Sequence, residues 1–270
     1  MVEKLKDFVS RFYLAIILLF LYAPIAVLVV LSFNSSRSRV KWGGFTLEWY
    51  EKLFSSRQIM EALGTTLLLA FASALIATVI GVAAAVGISA MNRRTYKIMM
   101  LFTDIPMVNA DIVTGIALML WFVNFIPLGF GSVLLAHITF NIPYVILSVM
   151  PKIRQMNLSI YEAARDLGAN AVYAFFKVLL PQLKGGIVSG FLMAFTMSMD
   201  DFVITYFTKG AGVNTLSTMI YGEIRKGIKP EMYALSTIIF VLVFVILLVA
   251  NFLPQQKEER KRKEAQKMRL

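Results

Sequence analysis

Four carboxylates stand inside apolar stretches of this 270-residue chain: Asp104, Asp111, Asp200 and Asp201. An Asp at the centre of a membrane-spanning helix costs about 2.5–3.5 kcal/mol on insertion scales, so such groups ordinarily face a polar cavity or a partner. Asp104 and Asp111 are seven residues apart, which puts them near one face of a continuous helix. Asp104 follows a basic loop, where a carboxylate at a helix start favours the dipole; that role competes with contact to a substrate. Asp111 stands near mid-span. Asp200 and Asp201 are adjacent and point about 100° apart on a helix, so the two are not expected to line one surface. Buried carboxylates with aromatic faces nearby suit a cationic solute, through charge-assisted hydrogen bonds and cation–π contact. Trp121 and Tyr206 fit the aromatic part and equally fit an aromatic belt at a membrane interface. The single histidine, His137, lies one helical turn from Asn141. That pair suits interhelical hydrogen bonds or ligation of a substrate.

No catalytic constellation accompanies these residues. The chain has no G-x-x-x-x-G-K-[ST] phosphate loop and no nucleophile–base pair. It has no cysteine, which excludes disulfides and thiolate metal sites, and one histidine leaves little material for a transition-metal site. No catalytic residue, no metal and no cofactor of its own are expected.

A second set of residues lies between apolar stretches. The segment "SIYEAARDLGANAVYAFFKVLLP", Ser159 to Pro181, interrupts the apolar chain with charge, a glycine and a short amphipathic run. Ser159 and Glu162 fit the capping box S-x-x-E, which predicts a helix starting near Ile160. Gly168 would end it, because glycine accepts the left-handed conformation that follows a helix. Asn170 can cap a second helix. There Ala171, Val172, Phe175, Phe176 and Leu179 recur at helical spacing and form an apolar stripe. Pro181 is expected to close that helix before the next span begins near Lys184. Such an element suits docking in a groove of a partner. It also suits a helix lying in the lipid interface or an ordinary capped loop, with Glu162 serving only as a cap.

These residues need elements to hold them, and composition indicates which. The chain is 58% hydrophobic and 16% charged, with mean hydropathy +0.72, against about 25% charged residues in soluble domains. A helix crosses the hydrocarbon core in about 20 apolar residues. Six segments qualify: 12–33, 62–90, 98–123, 131–151, 184–207 and 232–253. They follow one another without a soluble-sized interval, so the expected fold class is all-α integral membrane, one domain over 1–270. The first segment follows Lys4, Lys6 and Arg11 as a signal peptide would. Its apolar run is too long for one, and "LSFNSSRSR" offers no A-x-A cleavage site, so a retained first span is expected.

The net charge of +11 matters through its placement. With both termini inside, 18 of the 27 Lys and Arg lie on the cytoplasmic side, seven of them in the tail 254–270. The positive-inside rule prefers that orientation, and it puts the 159–181 segment in the cytoplasm. The tail reads as a solvated flank near anionic lipid and not as a nucleic-acid site. Gly81, Ala83, Ala84, Ala85 and Gly87 suit close helix packing.

The spacing of "EAARDLG" followed by "LLP" resembles the E-A-A-x-x-x-G…I-x-L-P loop of ABC-importer membrane subunits, with Val178 where isoleucine is usual. Matched residue by residue, the resemblance implies an ATPase-coupling role for Glu162, Ala163, Ala164, Gly168, Phe175, Phe176, Leu179 and Pro181. "GFTLEWYEKLF", "DIVTGIALML", "AHITFNIPYVI" and "FTMSMDDFVITYFTKG" are similar to segments of one subgroup, the PotC-type permease subunits of spermidine/putrescine importers. What this implies is a type I, MetI-like importer fold with six transmembrane helices in a bacterial cytoplasmic (inner) membrane. It further implies a heterodimer with a second permease, two copies of a cytoplasmic ATPase that binds the ATP, an external substrate-binding protein and a polyamine cargo. Under that reading Asp111, Asp200, Asp201, Trp121 and Tyr206 belong to the substrate pathway.

Two other readings remain at this point. The same machinery would serve another cation, ferric iron or thiamine. A proton- or sodium-coupled secondary transporter would use Asp111 as its ion site, but such proteins commonly carry inverted repeats, and none is visible. An integral-membrane enzyme or a scaffold fits poorly without a constellation.

Overall fold

The computed structural model describes residues 2–37, 41–227, 229–245 and 248. It divides into two compact units, one of Met1–Met60 with Glu223–Leu270 and one of Glu61–Gly222. The tail 254–270 and the end of the sixth predicted span lie outside the described residues.

The first unit opens with α1, Val2–Ser32, whose part Phe12–Ser32 has a mean hydropathy of 3.0 over its most apolar window. Its 21 residues extend about 30 Å, the thickness of a hydrocarbon core. After it the chain turns on Asn34. The amide of Asn34 donates to the Lys41 carbonyl at 2.9 Å, and its oxygen accepts from the backbone N–H of Ser36 (3.1 Å) and Gly43 (2.8 Å). The Asn34 carbonyl in turn receives the Trp49 indole N–H at 2.7 Å. One buried amide thus satisfies a turn that has almost no regular structure. Helix α2, Glu48–Ser55, buries Trp49 and Leu53 one turn apart and keeps Glu48 and Lys52 paired at 2.5 Å on its outer side. Helix α3, Arg57–Ser89, starts in this unit, and α11, Leu216–Lys226, ends in it. Helix α12, Pro230–Val245, follows, with proline in its first turn where no N–H is needed.

The second unit holds the rest of α3, then α4 (Arg93–Val108), α5 (Asp111–Phe122) and α6 (Phe130–Gln155). Helix α7 (Leu158–Asp166), α8 (Ala171–Ala174) and a π-helical turn (Phe175–Leu179) lead into α9 (Leu180–Asp200) and α10 (Val203–Thr208). Glycines set how closely α3, α6 and α9 approach. A Cβ on Gly81 would lie 2.7 Å from the Val145 side chain, and one on Gly190 would lie 3.2 Å from the Val145 Cα. At Gly186 the nearest atoms would be Lys152 Cγ at 3.0 Å and the Ser148 carbonyl at 3.1 Å. Val145, Val149, Leu183 and Ala194 are buried there with Val82 and Ala85. Of the small residues expected to pack, Gly81, Ala84 and Ala85 do so, whereas Ala83 is exposed and Gly87 has nothing within 4 Å of a Cβ.

Among the described residues four helices are long and apolar enough to cross a membrane: Phe12–Ser32, Arg57–Ser89, Phe130–Gln155 and Ala171–Asp200. The third predicted span, 98–123, is corrected to two helices, α4 and α5, bent by 102° about Asn109 and Ala110. Both residues are extended, at ψ 145° and 132°, and Pro106 has already removed one N–H from the ladder before them. The fifth span is corrected as well. It starts at Ala171 and stops at Asp200, because the chain breaks at Asp201 before α10.

Candidate functional site

The loop between α6 and α9 is built from its caps. Asn157 caps α7 by accepting from the Ser159 N–H at 3.0 Å. The predicted start at Ile160 is therefore corrected by two residues, and Ser159 lies inside the helix, not at a capping box. Glu162 is exposed and makes no hydrogen bond or ion pair among the described residues. Gly168 ends α7 at φ +91°. Its N–H reaches the Arg165 carbonyl at 3.0 Å, and the Ala169 N–H reaches the Ala164 carbonyl at 3.1 Å. These are the two bonds of a Schellman cap, which needs a residue in the left-handed region at that place. Ala163 is exposed and Ala164 half-buried. Asn170 then caps α8 by accepting from Tyr173 N–H at 2.7 Å.

Pro181 does not close that helix. It sits in the first turn of α9, directly after the π-helical turn, and the helix runs on. A proline ring inside an α-helix collides with the carbonyl four residues back. The wider turn, in which the Leu180 N–H reaches the Phe175 carbonyl, relieves that crowding. The predicted apolar stripe divides as a result. Leu179 is buried and Phe175 half-buried against the apolar cluster of the unit itself. The outward face carries Leu167 (90% exposed), Val172, Tyr173 and Phe176.

The carboxylates also separate. Asp111 is not at mid-span: it is the first residue of α5, exposed, where a helix N-terminus favours negative charge. Asp104 lies in the second half of α4, so the bend removes the shared face and the dipole argument applies to Asp111 instead. Trp121 is near the far end of α5, 62% exposed, with its ring 5.5 Å from that of Phe125. Asp200 ends α9 and is exposed. Tyr206, on α10, is half exposed beside Phe202 and Tyr221, at ring separations of 5.4 and 6.5 Å. Helix α5 packs on α10 through Gly115, where a Cβ would come within 3.1 Å of the Phe207 ring.

Asp201 turns the other way. Its Oδ2 accepts from the Thr205 N–H and the Thr205 hydroxyl, each at 2.7 Å, and its Oδ1 accepts from the Ile204 N–H at 3.2 Å. Its side chain is 9% exposed, and His137 Nε2 stands 3.4 Å from Oδ2. His137 is fully buried between Ser198 Oγ, 2.5 Å from Nδ1, and Thr205 Oγ1, 2.8 Å from Nε2. Ser198 is hydrogen-bonded to Ser73 at 2.9 Å, and Ser73 accepts from the Asn141 amide at 3.4 Å. Six polar side chains from α3, α6, α9, α10 and the α9–α10 break thus form one buried chain. His137 and Asn141 are interhelical hydrogen-bonders in it. Ser73, Ser198 and Thr205 carry no signal of their own in the sequence. The 3- and 4-residue spacing of Ser198, Asp201 and Thr205 was the available clue, since it puts them along one helical direction.

The chain matches, over residues 77–263, the family described as "Binding-protein-dependent transport system inner membrane component". It is 36% identical over 258 residues to the putrescine transport system permease protein PotI of Escherichia coli K12, covering 93% of this chain and 92% of that one. It is 34% identical over 252 residues to the spermidine/putrescine transport system permease protein PotC of Haemophilus influenzae, covering 93% and 98%. Its fold is similar to that of a bacterial ABC transporter involved in the import of the acidic polysaccharide alginate (TM-score 0.68, 18% identity, 94% of this chain and 99% of that one). A second similar structure is the inward-facing MetNI methionine ABC transporter (TM-score 0.58, 19% identity, 73% and 96%). A match to the family over more than half of its length, with relatives this similar along nearly the whole sequence, settles the membership: the chain belongs to the inner-membrane components of binding-protein-dependent transport systems, the permeases of ABC transporters.

Proposed function

We propose that this chain is a permease subunit of an ATP-driven polyamine importer. The observation that carries the reading is the similarity, along almost the full length of both chains, to two permeases named for putrescine and spermidine. The two compact units are read as parts of one permease domain, since the family match runs across their boundary. It pairs with a second permease of like fold, takes cargo from an external binding protein, and is driven by two copies of a cytoplasmic ATPase. Both termini and the 157–181 loop face the cytoplasm, in keeping with the excess of Lys and Arg there.

The loop is the ATPase contact. Leu167, Val172, Tyr173 and Phe176 form an exposed apolar patch on short helices, the pattern by which a helix seats in a groove, and Glu162 stands exposed in the same loop. Asp111 and Asp200, with Trp121 and Tyr206, are the pathway groups. Exposed carboxylates and aromatic faces are what a flexible chain of ammonium groups requires. The test is uptake of labelled polyamine by the reconstituted complex in liposomes with the ion gradients collapsed. Uptake that follows the partner's ATP hydrolysis is expected. Uptake that vanishes with the gradient would make the chain part of an ion-coupled transporter and overturn the reading.

A further inference from the structure

The buried chain of polar side chains is the part of the second unit that the transport reading leaves unused, and its donors can be assigned one by one. The Thr205 hydroxyl has one proton, and it goes to Asp201 Oδ2 at 2.7 Å. Thr205 Oγ1 therefore accepts from His137 Nε2 at 2.8 Å. A neutral imidazole carries a single N–H. With that proton on Nε2, Nδ1 is an acceptor, and the Ser198 hydroxyl donates to it at 2.5 Å. Ser198 then accepts from Ser73 at 2.9 Å, a shorter contact than the 3.2 Å from the Ser73 hydroxyl to the Ala70 carbonyl, and Ser73 accepts from Asn141 Nδ2 at 3.4 Å. Every link runs the same way, from Asn141 to the Asp201 carboxylate. Asn141, at the origin of the chain, enters it only as a donor, since its Oδ1 has no hydrogen-bond partner among the described residues.

We propose that Asp201 is a positioning residue: its carboxylate orients this hydrogen-bond chain, holds His137 as the Nε2–H tautomer and fixes α10 on α6, while Asp200 is the member of the pair that meets the cargo. Only the part concerning Asp200 rests on the polyamine reading. The geometry gives Asp201 no remaining face for a cation. Its two oxygens receive two backbone N–H groups and a hydroxyl, and the side chain is 9% exposed. Asp200 is exposed and about 100° round the helix. The fixed end matters for Asp200, because Asp201 ties the break that follows it to Ile204 and Thr205.

His137 is the sole histidine of the chain, which makes its tautomer readable. In the ¹⁵N-histidine-labelled complex, carrying a histidine-free tag, its signals are those lost in His137→Gln. The expected result is a protonated Nε2 and an unprotonated Nδ1; a protonated Nδ1 overturns the proposal.

Uptake supplies the second measurement. Asp201→Asn retains an oxygen that accepts from Thr205, so it is expected to restore most of what Asp201→Ala loses. Asp201→Ala leaves buried donors unpaired and is expected to lower maximal uptake about tenfold, with KM for the cargo little changed. At Asp200, Asn and Ala are expected to act alike, raising KM more for triammonium spermidine than for diammonium putrescine. If Asp201→Asn is as damaging as Asp201→Ala and its effect grows with cargo charge, Asp201 is a pathway charge and the proposal fails. Where Asp201→Ala does not assemble, the tautomer and Asp201→Asn still decide. If the unaltered complex moves no polyamine, the cargo reading falls while the tautomer continues to judge the positioning role.

Discussion

Gly168 carries the sharpest prediction. At φ +91° a side chain is strained whatever space surrounds it, and space is not the constraint here, since a Cβ would meet nothing within 4 Å. Gly168→Ala and Gly168→Val therefore test backbone conformation alone. Holding a residue with a Cβ in this region costs about 1–2 kcal/mol. The alternative is to release the Schellman cap, whose two bonds at 3.0 and 3.1 Å contribute about 0.5–1.5 kcal/mol each. Either way about 1–2 kcal/mol is set against the docked shape of the loop, a factor of about 5–30 in the competent population. The assay is ATP hydrolysis stimulated by loaded binding protein, alongside uptake, in liposomes with the assembled complex quantified. Uptake is expected to fall in the order Gly, Asn, Ala, Val, because Asn tolerates the left-handed region better than other non-glycine residues. Full uptake by Gly168→Val, or Asn as harmful as Val, would refute the argument from φ.

Glycine spacing gives a paired prediction: Gly81→Ala, whose Cβ would lie 2.7 Å from Val145, should lower the melting temperature of the purified complex, while Gly87→Ala, in open space, should leave it level or raise it. The expected loss at Gly81 is about 1–3 kcal/mol of overpacking, and the expected gain at Gly87 is about 0.5–1 kcal/mol of helix propensity. Phe176→Ala should weaken ATPase binding to the complex, measured by co-purification at rising salt, whereas Leu179→Ala should destabilise the permease itself, since Leu179 is buried within the chain. Glu162→Gln leaves the start of α7 intact because Asn157 caps it; a fall in stimulated ATPase activity with the complex intact would assign Glu162 to an electrostatic contact, and unchanged activity would remove it from the interface. Asp111→Asn should reduce polyamine uptake about tenfold, the scale of one charge-assisted hydrogen bond of about 1.5–3 kcal/mol, and uptake at full rate would make the carboxylate a helix-start residue only.

How much of this was legible depends on what each signal measures. Uninterrupted apolar runs locate the first, second and fourth spans to within a few residues, because length and hydropathy are all that crossing requires. The same runs are blind to direction. A bent pair and a straight helix have equal hydropathy, so the break at Asn109 and Ala110 was invisible except for Pro106, which a helix also tolerates. Gly168 and Asn170 were readable because a left-handed φ and an N-cap each demand a few residue types. Ser159 misled because a capping box needs only two residues, while the true cap, Asn157, stood two positions earlier. Pro181 misled because a proline stop presumes an α-helix, and a π-helical turn changes the collision it predicts. The polar chain was out of reach. A Ser or Thr in an apolar helix can bond the carbonyl one turn back, as Thr66 and Thr78 do, so residue type alone does not mark Ser73, Ser198 and Thr205, and only the spacing of Ser198, Asp201 and Thr205 hints at two of them.

The π-helical turn makes the docking loop and the fifth span one piece. From Ala171 to Asp200 the chain is a single rod of 30 residues, about 45 Å long, with no slack between its ends. Gly186 and Gly190 leave room on it only for the backbone against α6. These lie midway between Phe176 and Asp200, about 15–21 Å from each by helical rise. A rod that tilts about such a fulcrum has arms of equal length, so its ends travel by similar distances in opposite senses. Whatever shifts Phe176 by one ångström shifts Asp200, and the break that Asp201 secures, by about as much, with neither amplification nor loss.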